Sequence, residues 1–543
     1  MGEMAKRDRN HVSIIVNSLC NEVECVSPPA VGREMVALSK AQDPSRPTTA
    51  NSDASDGLFA VIDVQGFSHS SNSTFAAAHK ARPAQPLVLS ECCSCTSQRF
   101  PRAPVDDKCI FDQNSPGIDV PYVAGSLGVW TAFDYFGEPP GPWPFVSSSF
   151  GQLDLAGLPK PHAFLYTSMW RERVPASDAG RVALPPAPVA RVTDLLDQLS
   201  PAPGGGVFVS GIVSSDFAEL VADGASLGVL ASAGRPLTWR VPTKSAPAAA
   251  AAAPNCSYPT ALEGTQCRGL KSVPAAATRE ACAAAACAAN EDLWQFATSG
   301  DEGCWVGSAA RLPCPPPAKP GAGWVGGARG GGGGGGPSNV TLRALAADRA
   351  TVLASHSLSA PASAAPAALA LVVDVPSPAT GTGSSLFLDG SDVALIRVAI
   401  VDAAGALISV TPVNVTFAIV SGPGRVAGVN AGDPAAHEQP NGATVATFGG
   451  LARAIVQVTA DCTSPLRDRI VAIDADNGRR TYVSRDGDAC SALAPIVVRA
   501  SAAGMADVTA TLPTSVAPQD APLAAAAAAF SAAAVSYLAN FLG

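Results

Sequence analysis

The chain has 543 residues, 47% of them hydrophobic and only 15% charged, and its 36 basic against 45 acidic side chains give a net charge of −9. That length supports three or four domains with several cores. The charge balance leaves no basic stripe for a nucleic acid, so no nucleic-acid partner is expected, and an acidic surface adds little beyond solubility.

The first element is "SIIVNSLCNEVEC", residues 13–25, apolar through Ile14, Ile15 and Val16 and ending on Asn21-Glu22. A continuous apolar run predicts a strand covered on both faces of a parallel sheet. Glu22 then sits at the strand's C-terminal tip, where α/β barrels carry their catalytic groups. One acid after one strand is most often a plain surface carboxylate. A helix follows with Val31, Met35 and Leu38 on one face, then a strand at "RPTTAN", a strand at "FAVIDVQGF" and a short helix at "TFAAAHKA". "QPLVLSECCSC" repeats the grammar of the first stretch: Leu87, Val88 and Leu89 are apolar and Glu91 closes the run, 69 residues after Glu22. "LGVWTAFDYFGEP" reads as a fifth strand. Strands alternating with helices predict a parallel sheet with right-handed crossovers. Two carboxylates at one rim of such a sheet suit glycosidic bond cleavage. One must be protonated to serve the leaving oxygen, and the other ionised to meet the anomeric carbon.

Farther on, "DFAELVADGASLGVLA" and "PLTWRVP" alternate apolar and polar residues around an Asp-Gly turn. They read as hairpins of a β-sandwich over residues 174–245 that resumes at 338–376. The interval holds an inserted module, 254–316, with Cys256, Cys267, Cys282, Cys287, Cys304 and Cys314. With no paired CxxC and no nearby His, these predict a disulfide framework rather than a zinc site. Trp294, Phe296 and Trp305 form either a ligand-binding face or the module's own core, and the scarcity of other hydrophobes favours the core. Residues 317–337, with seven glycines from Gly330 to Gly336, read as flexible linker. Strand-turn repeats over 377–513 predict an immunoglobulin-type sandwich, with Cys462 and Cys490 placed to bridge a polar loop. The Ala-rich tail, 514–543, is weakly hydrophobic and lacks flanking basic residues, so a docked or fraying helix is expected there rather than a membrane span.

Cys20, Cys25, Cys92, Cys93, Cys95 and Cys109 lie in the first region. A zinc site needs four ligands in a tetrahedron, and small buried thiols packing beside strands are the commoner reading. No metal and no cofactor is expected.

"RDRNHVSIIVNSLCNE", "DPSRPTTAN", "DVQGF", "PLVLSECCSC", "GVWTAFDYFGEP", "SSSFGQLDLAGLPK" and "YTSMW" occur in that order over residues 5–171. Together they resemble the catalytic (β/α)8 TIM barrel of glycoside hydrolase family 2, nearest its β-galactosidases. The resemblance implies a multidomain α/β plus all-β chain: strands four to eight of the barrel over residues 1–173, then immunoglobulin-like sandwiches interrupted by a disulfide-rich insertion. It implies a glycoside or oligosaccharide substrate and a retaining double displacement. Glu22 matches the family's acid/base, Glu91 its nucleophile, Asn21 the residue that meets the sugar's 2-hydroxyl, and Trp130 an aromatic wall of the sugar subsite. The insertion loosely resembles PAN/apple-type modules through "CAAAACAANEDLWQFATSGDEGCWVG".

The departures are specific. Asn17 stands where the family usually has an aromatic, and Ser68-His69 replaces Asn-Tyr, so His69 takes the place of the hydroxyl that supports the nucleophile. Met1 lies only shortly before what would be the fourth barrel strand, so the chain is expected to be a fragment, a truncated gene model or a degraded relative. Two functions follow: a retaining glycosidase acting on terminal β-galactosides, or an inactive carbohydrate- or cell-surface-binding derivative of one. The cysteine-rich module and Asn-x-Ser/Thr acceptors at Asn72, Asn255, Asn339 and Asn414 predict a secreted, extracellular or cell-wall location. The oligomeric state is open.

Overall fold

The computed structural model describes residues 1–173, 188–242 and 336–516, apart from 26–28, 52–55, 100–104, 106, 113–119, 121, 127, 142, 201, 203–205, 364, 379–381, 463–467, 474–479 and 485–492. Between these blocks it describes 260–261, 271–273, 278–288, 293–297, 303–307 and 324–328. The chain divides into two compact units.

The first unit comprises Met1–Ser97, Asp106–Tyr135 and Ser148–Leu153. It carries five short strands, β1 (Asn17–Asn21), β2 (Thr48–Asn51), β3 (Gln65–Ser68), β4 (Leu87–Glu91) and β5 (Val123–Ser126). β1 pairs parallel with β2, and β3, β4 and β5 form a parallel set in that order. Between β2 and β3 the chains run side by side, with the amides of Asp63 and Val64 donating to the Thr48 carbonyl at 3.1 and 3.0 Å. A Cβ at Gly66 would stand 1.9 Å from the Ala50 carbonyl, so only glycine permits this approach. Helices Pro29–Gln42 and Asn72–Ala81 connect successive strands, the second capped by Ser71 Oγ accepting from the Thr74 amide at 3.4 Å. Phe67 packs between Phe59 and Phe75, with ring centroids 4.9 Å apart on either side and all three buried. The unit is part of a TIM barrel.

Four details differ from the sequence reading. The apolar run precedes β1 rather than forming it, and Ile15 is 67% exposed. Among the described residues β1 has one strand neighbour, and the pleat sorts its side chains into buried Asn17 and Leu19 and exposed Ser18. Helix Pro29–Gln42 buries Gly32 and Ser39, whereas Val31 and Leu38 face outward. The small Gly32 lets the helix close on Leu58, and Ser39 Oγ accepts from Asn17 Nδ2 at 3.3 Å. "FAVIDV" is helix end and turn, not strand: Asp63 Oδ2 accepts from the Thr48 amide at 2.7 Å and holds the bend until β3 starts at Gln65. The fifth strand lies at Val123–Ser126, and the expected "LGVW" segment contributes a single parallel bridge, Val129 to Cys92.

The cysteines of this unit are neither free packing thiols nor zinc ligands. Cys20 bonds Cys25, Cys92 bonds its neighbour Cys93, and Cys95 bonds Cys109.

The second unit is β-rich. In its first sandwich, β6 (Ala190–Val192), β7 (Val207–Val213) and β10 (Leu237–Val241) form one sheet. The other sheet joins β8 (Phe217–Ala222) and β9 (Ala225–Ala231) to strands Asn339–Leu345 and Val352–Ser359. The β8–β9 turn is Asp223-Gly224 at φ 48° and 83°, the left-handed pair that a two-residue hairpin requires. Val192, Val209, Leu220, Trp239 and Leu342 are buried between the sheets.

Between these strands lies a five-stranded sheet beside helix Arg279–Ala288, cross-linked by Cys282–Cys304. Trp294 and Phe296 pack on Cys282, Ala286, Cys304 and Val306, while Trp305 stands outside that cluster. Cys256, Cys267 and Cys314 lie outside the described residues. The expected linker is in part structural: Trp324–Ala328 pairs antiparallel with Leu293–Ala297, because glycines lack side chains but keep the backbone donors and acceptors a ladder uses.

The C-terminal sandwich opposes strands 368–375, 393–401, 451–458 and 424–430 to strands 444–446, 414–421, 496–502 and 508–512. Its first strand begins earlier than the sequence boundary at residue 377, since Ala368–Val375 pairs along Val393–Val401. Asp374 lies buried between Arg397 at 3.3 Å and Arg453 at 2.7 Å, and Arg453 also donates to the carbonyls of Ala156 and Gly157. Cys462 is disulfide-bonded, and Cys490, its expected partner, lies outside the described residues. Among the described residues no helix is long and apolar enough to cross a membrane; the Ala-rich tail from 517 on lies outside them.

Asp194 yields a stability prediction. Its side chain is buried and accepts from the Ser210 amide, and burial pushes its carboxyl up to about 7. The folded state therefore holds a proton that the unfolded chain releases near the ordinary carboxylate range, and stability falls as pH rises from about 4 to about 7. The full difference is on the order of 4 kcal/mol. Asp194→Asn removes this titration, so in urea unfolding its stability relative to wild type improves between pH 5 and pH 8. An unchanged difference between the two pH values contradicts the burial effect.

Candidate active site

In a parallel arrangement every strand ends at the same rim, and β1 to β4 end in chemistry. Asn21 closes β1 and Glu22 follows it; Asn51 closes β2; Ser68 closes β3 and His69 follows; Glu91 closes β4. Glu22 and His69 both take φ +44°, and Cys93 φ +71°. Such left-handed turns at non-glycine residues cost on the order of 1 kcal/mol each and gather where the surrounding structure fixes a functional geometry. The Cys20–Cys25 bond spans the corner that carries Asn21 and Glu22, and Cys92–Cys93 directly follows Glu91.

Glu22, His69 and Glu91 each present one ligand atom within 4.8 Å of the others. His69 Nε2 lies 3.1 Å from Glu91 Oε1, and the His69 amide donates to the Glu91 carbonyl at 3.0 Å. Asn51 Nδ2 donates to Glu91 Oε2 at 2.7 Å and to Asn21 Oδ1 at 2.6 Å. Ser68 Oγ donates to Glu22 Oε1 at 2.9 Å. Ser90 Oγ donates to Asn51 Oδ1 at 2.7 Å, and Ser94 Oγ stands 3.3 Å from His69 Nε2. The three ligand atoms are close enough to hold a cation. The same closeness of two carboxylates is what proton transfer and attack at one carbon demand.

Of the sequence-derived residues, Asn21, Glu22, His69 and Glu91 therefore share one connected cluster. Trp130 follows the bridge to Cys92, its amide donating to the Cys92 carbonyl at 2.8 Å. Trp130 is 39% exposed, and its Nε1 donates to the Tyr135 hydroxyl at 3.1 Å. Asn51, Ser68 and Ser90 were missed. The available signal for Asn51 was its position: "RPTTAN" ends on a polar residue at a strand tip, as the first strand does.

Two family models match the chain: the glycosyl hydrolases family 2 TIM barrel domain over residues 1–97, and the glycoside hydrolase family 2 C-terminal domain 5 over residues 380–464. A β-galactosidase of Bacteroides ovatus is 31% identical to this chain over 26% of this chain and 21% of its own length. A solved family 2 member from Bacteroides cellulosilyticus has the same fold at 17% identity, with a TM-score of 0.56 over 94% of this chain and 49% of that one. A solved β-glucuronidase of the family gives 14% identity and 0.50 over 93% of this chain and 39% of that one. The chain thus spans about half the length of the structures it matches, and a smaller part of the curated relative. Residues 1–97 and 380–464 thus match the barrel and C-terminal domains of glycoside hydrolase family 2.

Proposed function

We propose that the protein is a retaining glycoside hydrolase acting on terminal β-galactosides, with Glu22 as acid/base and Glu91 as nucleophile. The observation that carries this reading is the pair of carboxylates with oxygens within 4.8 Å of each other, Glu22 directly after β1 and Glu91 at the end of β4. Retaining enzymes keep their carboxyls about 5–5.5 Å apart, and inverting ones roughly 6.5–9.5 Å apart to admit a water.

In the first step Glu22 gives its proton to the glycosidic oxygen as that bond breaks, and Glu91 attacks the anomeric carbon to form a glycosyl ester. In the second, Glu22 takes a proton from water, whose oxygen displaces Glu91 and restores the β configuration. Ser68 occupies Glu22 Oε1, which leaves Oε2 to carry the transferred proton. Asn21 meets the sugar's 2-hydroxyl, and the exposed face of Trp130 covers its C–H face. Galactose is the sugar proposed, on the strength of the Bacteroides ovatus β-galactosidase. The disulfides and the Asn-x-Ser/Thr acceptors support a secreted or cell-wall location.

Proton NMR during hydrolysis of p-nitrophenyl β-galactoside tests the proposal, with the β-glucuronide run in parallel. The β-anomer of galactose is expected first, with the glucuronide cleaved at least tenfold more slowly. Initial release of the α-anomer overturns the retaining assignment, a preference for glucuronide overturns the sugar, and no turnover of either favours a glycan-binding protein.

A further inference from the structure

The Asn51 side chain makes three hydrogen bonds at the rim, to Glu91, Asn21 and Ser90. It is 7% exposed, at the end of a strand whose four residues are all buried. Both protons of its amide are used, one on Glu91 Oε2 and one on Asn21 Oδ1. Its own oxygen faces the Ser90 hydroxyl. The reverse orientation would turn that oxygen toward two other oxygens, so the surroundings fix the amide one way round.

We infer that Asn51 is a positioning residue that sets the nucleophile and the 2-hydroxyl ligand at once; this rests on the glycosidase reading above. Toward Glu91 it acts as a fixed donor, which stabilises the carboxylate charge and holds Oε2 in place. Toward Asn21 its effect is orientational. By donating to Asn21 Oδ1 it leaves Asn21 Nδ2 as the group available to the sugar, so the 2-hydroxyl meets a donor of defined direction. Contacts at that hydroxyl strengthen in the transition state. A single amide thus links the position of the attacking oxygen to recognition of the hydroxyl next to the carbon it attacks.

The test compares the full-length wild type with Asn51→Ala and the isosteric Asn51→Asp. The substrates are p-nitrophenyl β-galactoside and its 2-deoxy analogue, followed across pH. Asn51→Ala is expected to lower kcat roughly a hundredfold with KM changed only a few-fold. The rate penalty for removing the 2-hydroxyl should shrink by about tenfold relative to wild type, since Asn21 is no longer oriented. Asn51→Asp sets a carboxylate against Glu91, so the acidic limb of kcat/KM moves to higher pH by about a unit or more. That variant decides the matter if the alanine protein does not fold. Wild-type kcat, an unchanged 2-deoxy penalty or an unmoved acidic limb in a folded variant overturns the inference while leaving the glycosidase reading intact. Absence of turnover in wild type itself removes both.

Discussion

If Glu91 is the nucleophile, replacing it with Gln is expected to lower kcat for p-nitrophenyl β-galactoside by roughly 10⁴–10⁶-fold. The amide has the size of the carboxylate but cannot form the glycosyl ester, so the first chemical step loses its nucleophile rather than its geometry. Glu91 is only partly buried and its two oxygens face His69 and Asn51, so the isosteric change disturbs packing little. Melting temperature should therefore stay close to wild type while turnover disappears. A Glu91→Gln protein that retains more than about a hundredth of wild-type kcat contradicts the assignment of the nucleophile.

Glu22→Ala is expected to show a different signature, because the proposed acid/base acts as acid in the first step and as base in the second. A poor leaving group needs the proton, so phenyl or alkyl galactosides slow by about 10²–10⁴-fold. A dinitrophenyl galactoside departs without it, so the first step stays fast and the second, which lacks a base, becomes limiting. A burst of dinitrophenol follows, together with a fall in KM as the glycosyl enzyme accumulates. Azide needs no base and fits the space of the lost carboxylate; it should restore turnover and yield the β-galactosyl azide. Equal losses on both leaving groups, with no azide effect, mean that Glu22 is not the acid/base.

Much of the site was legible because strand tips in a parallel sheet share a rim, so Glu22 and Glu91 could be paired from chain order alone. The helix Asn72–Ala81 followed from the pattern of "TFAAAHKA", and the hairpin at Asp223-Gly224 from a turn that local chemistry dictates. What failed was decided by tertiary contacts. The helix Pro29–Gln42 turned its small residues inward because Gly32 allowed closer packing than Val31 or Leu38. The apolar Ile14–Val16 run was not a strand, since hydrophobicity alone cannot supply a paired neighbour. Nor do spacings reveal that Cys92 bonds the residue beside it. Asn51 was invisible for a further reason. A polar residue closing a short strand is ordinary until its partners are seen, and its three partners lie 30, 39 and 40 residues away.

Attack of Glu91 on the anomeric carbon can be tested by trapping the glycosyl enzyme. The protein is incubated with 2,4-dinitrophenyl 2-deoxy-2-fluoro-β-galactoside, digested, and mapped by mass spectrometry. One fluorogalactosyl group per chain is expected, carried by Glu91 in the "VLSECCSC" peptide. A label on Glu22, or on a residue outside the rim of the first unit, would contradict it.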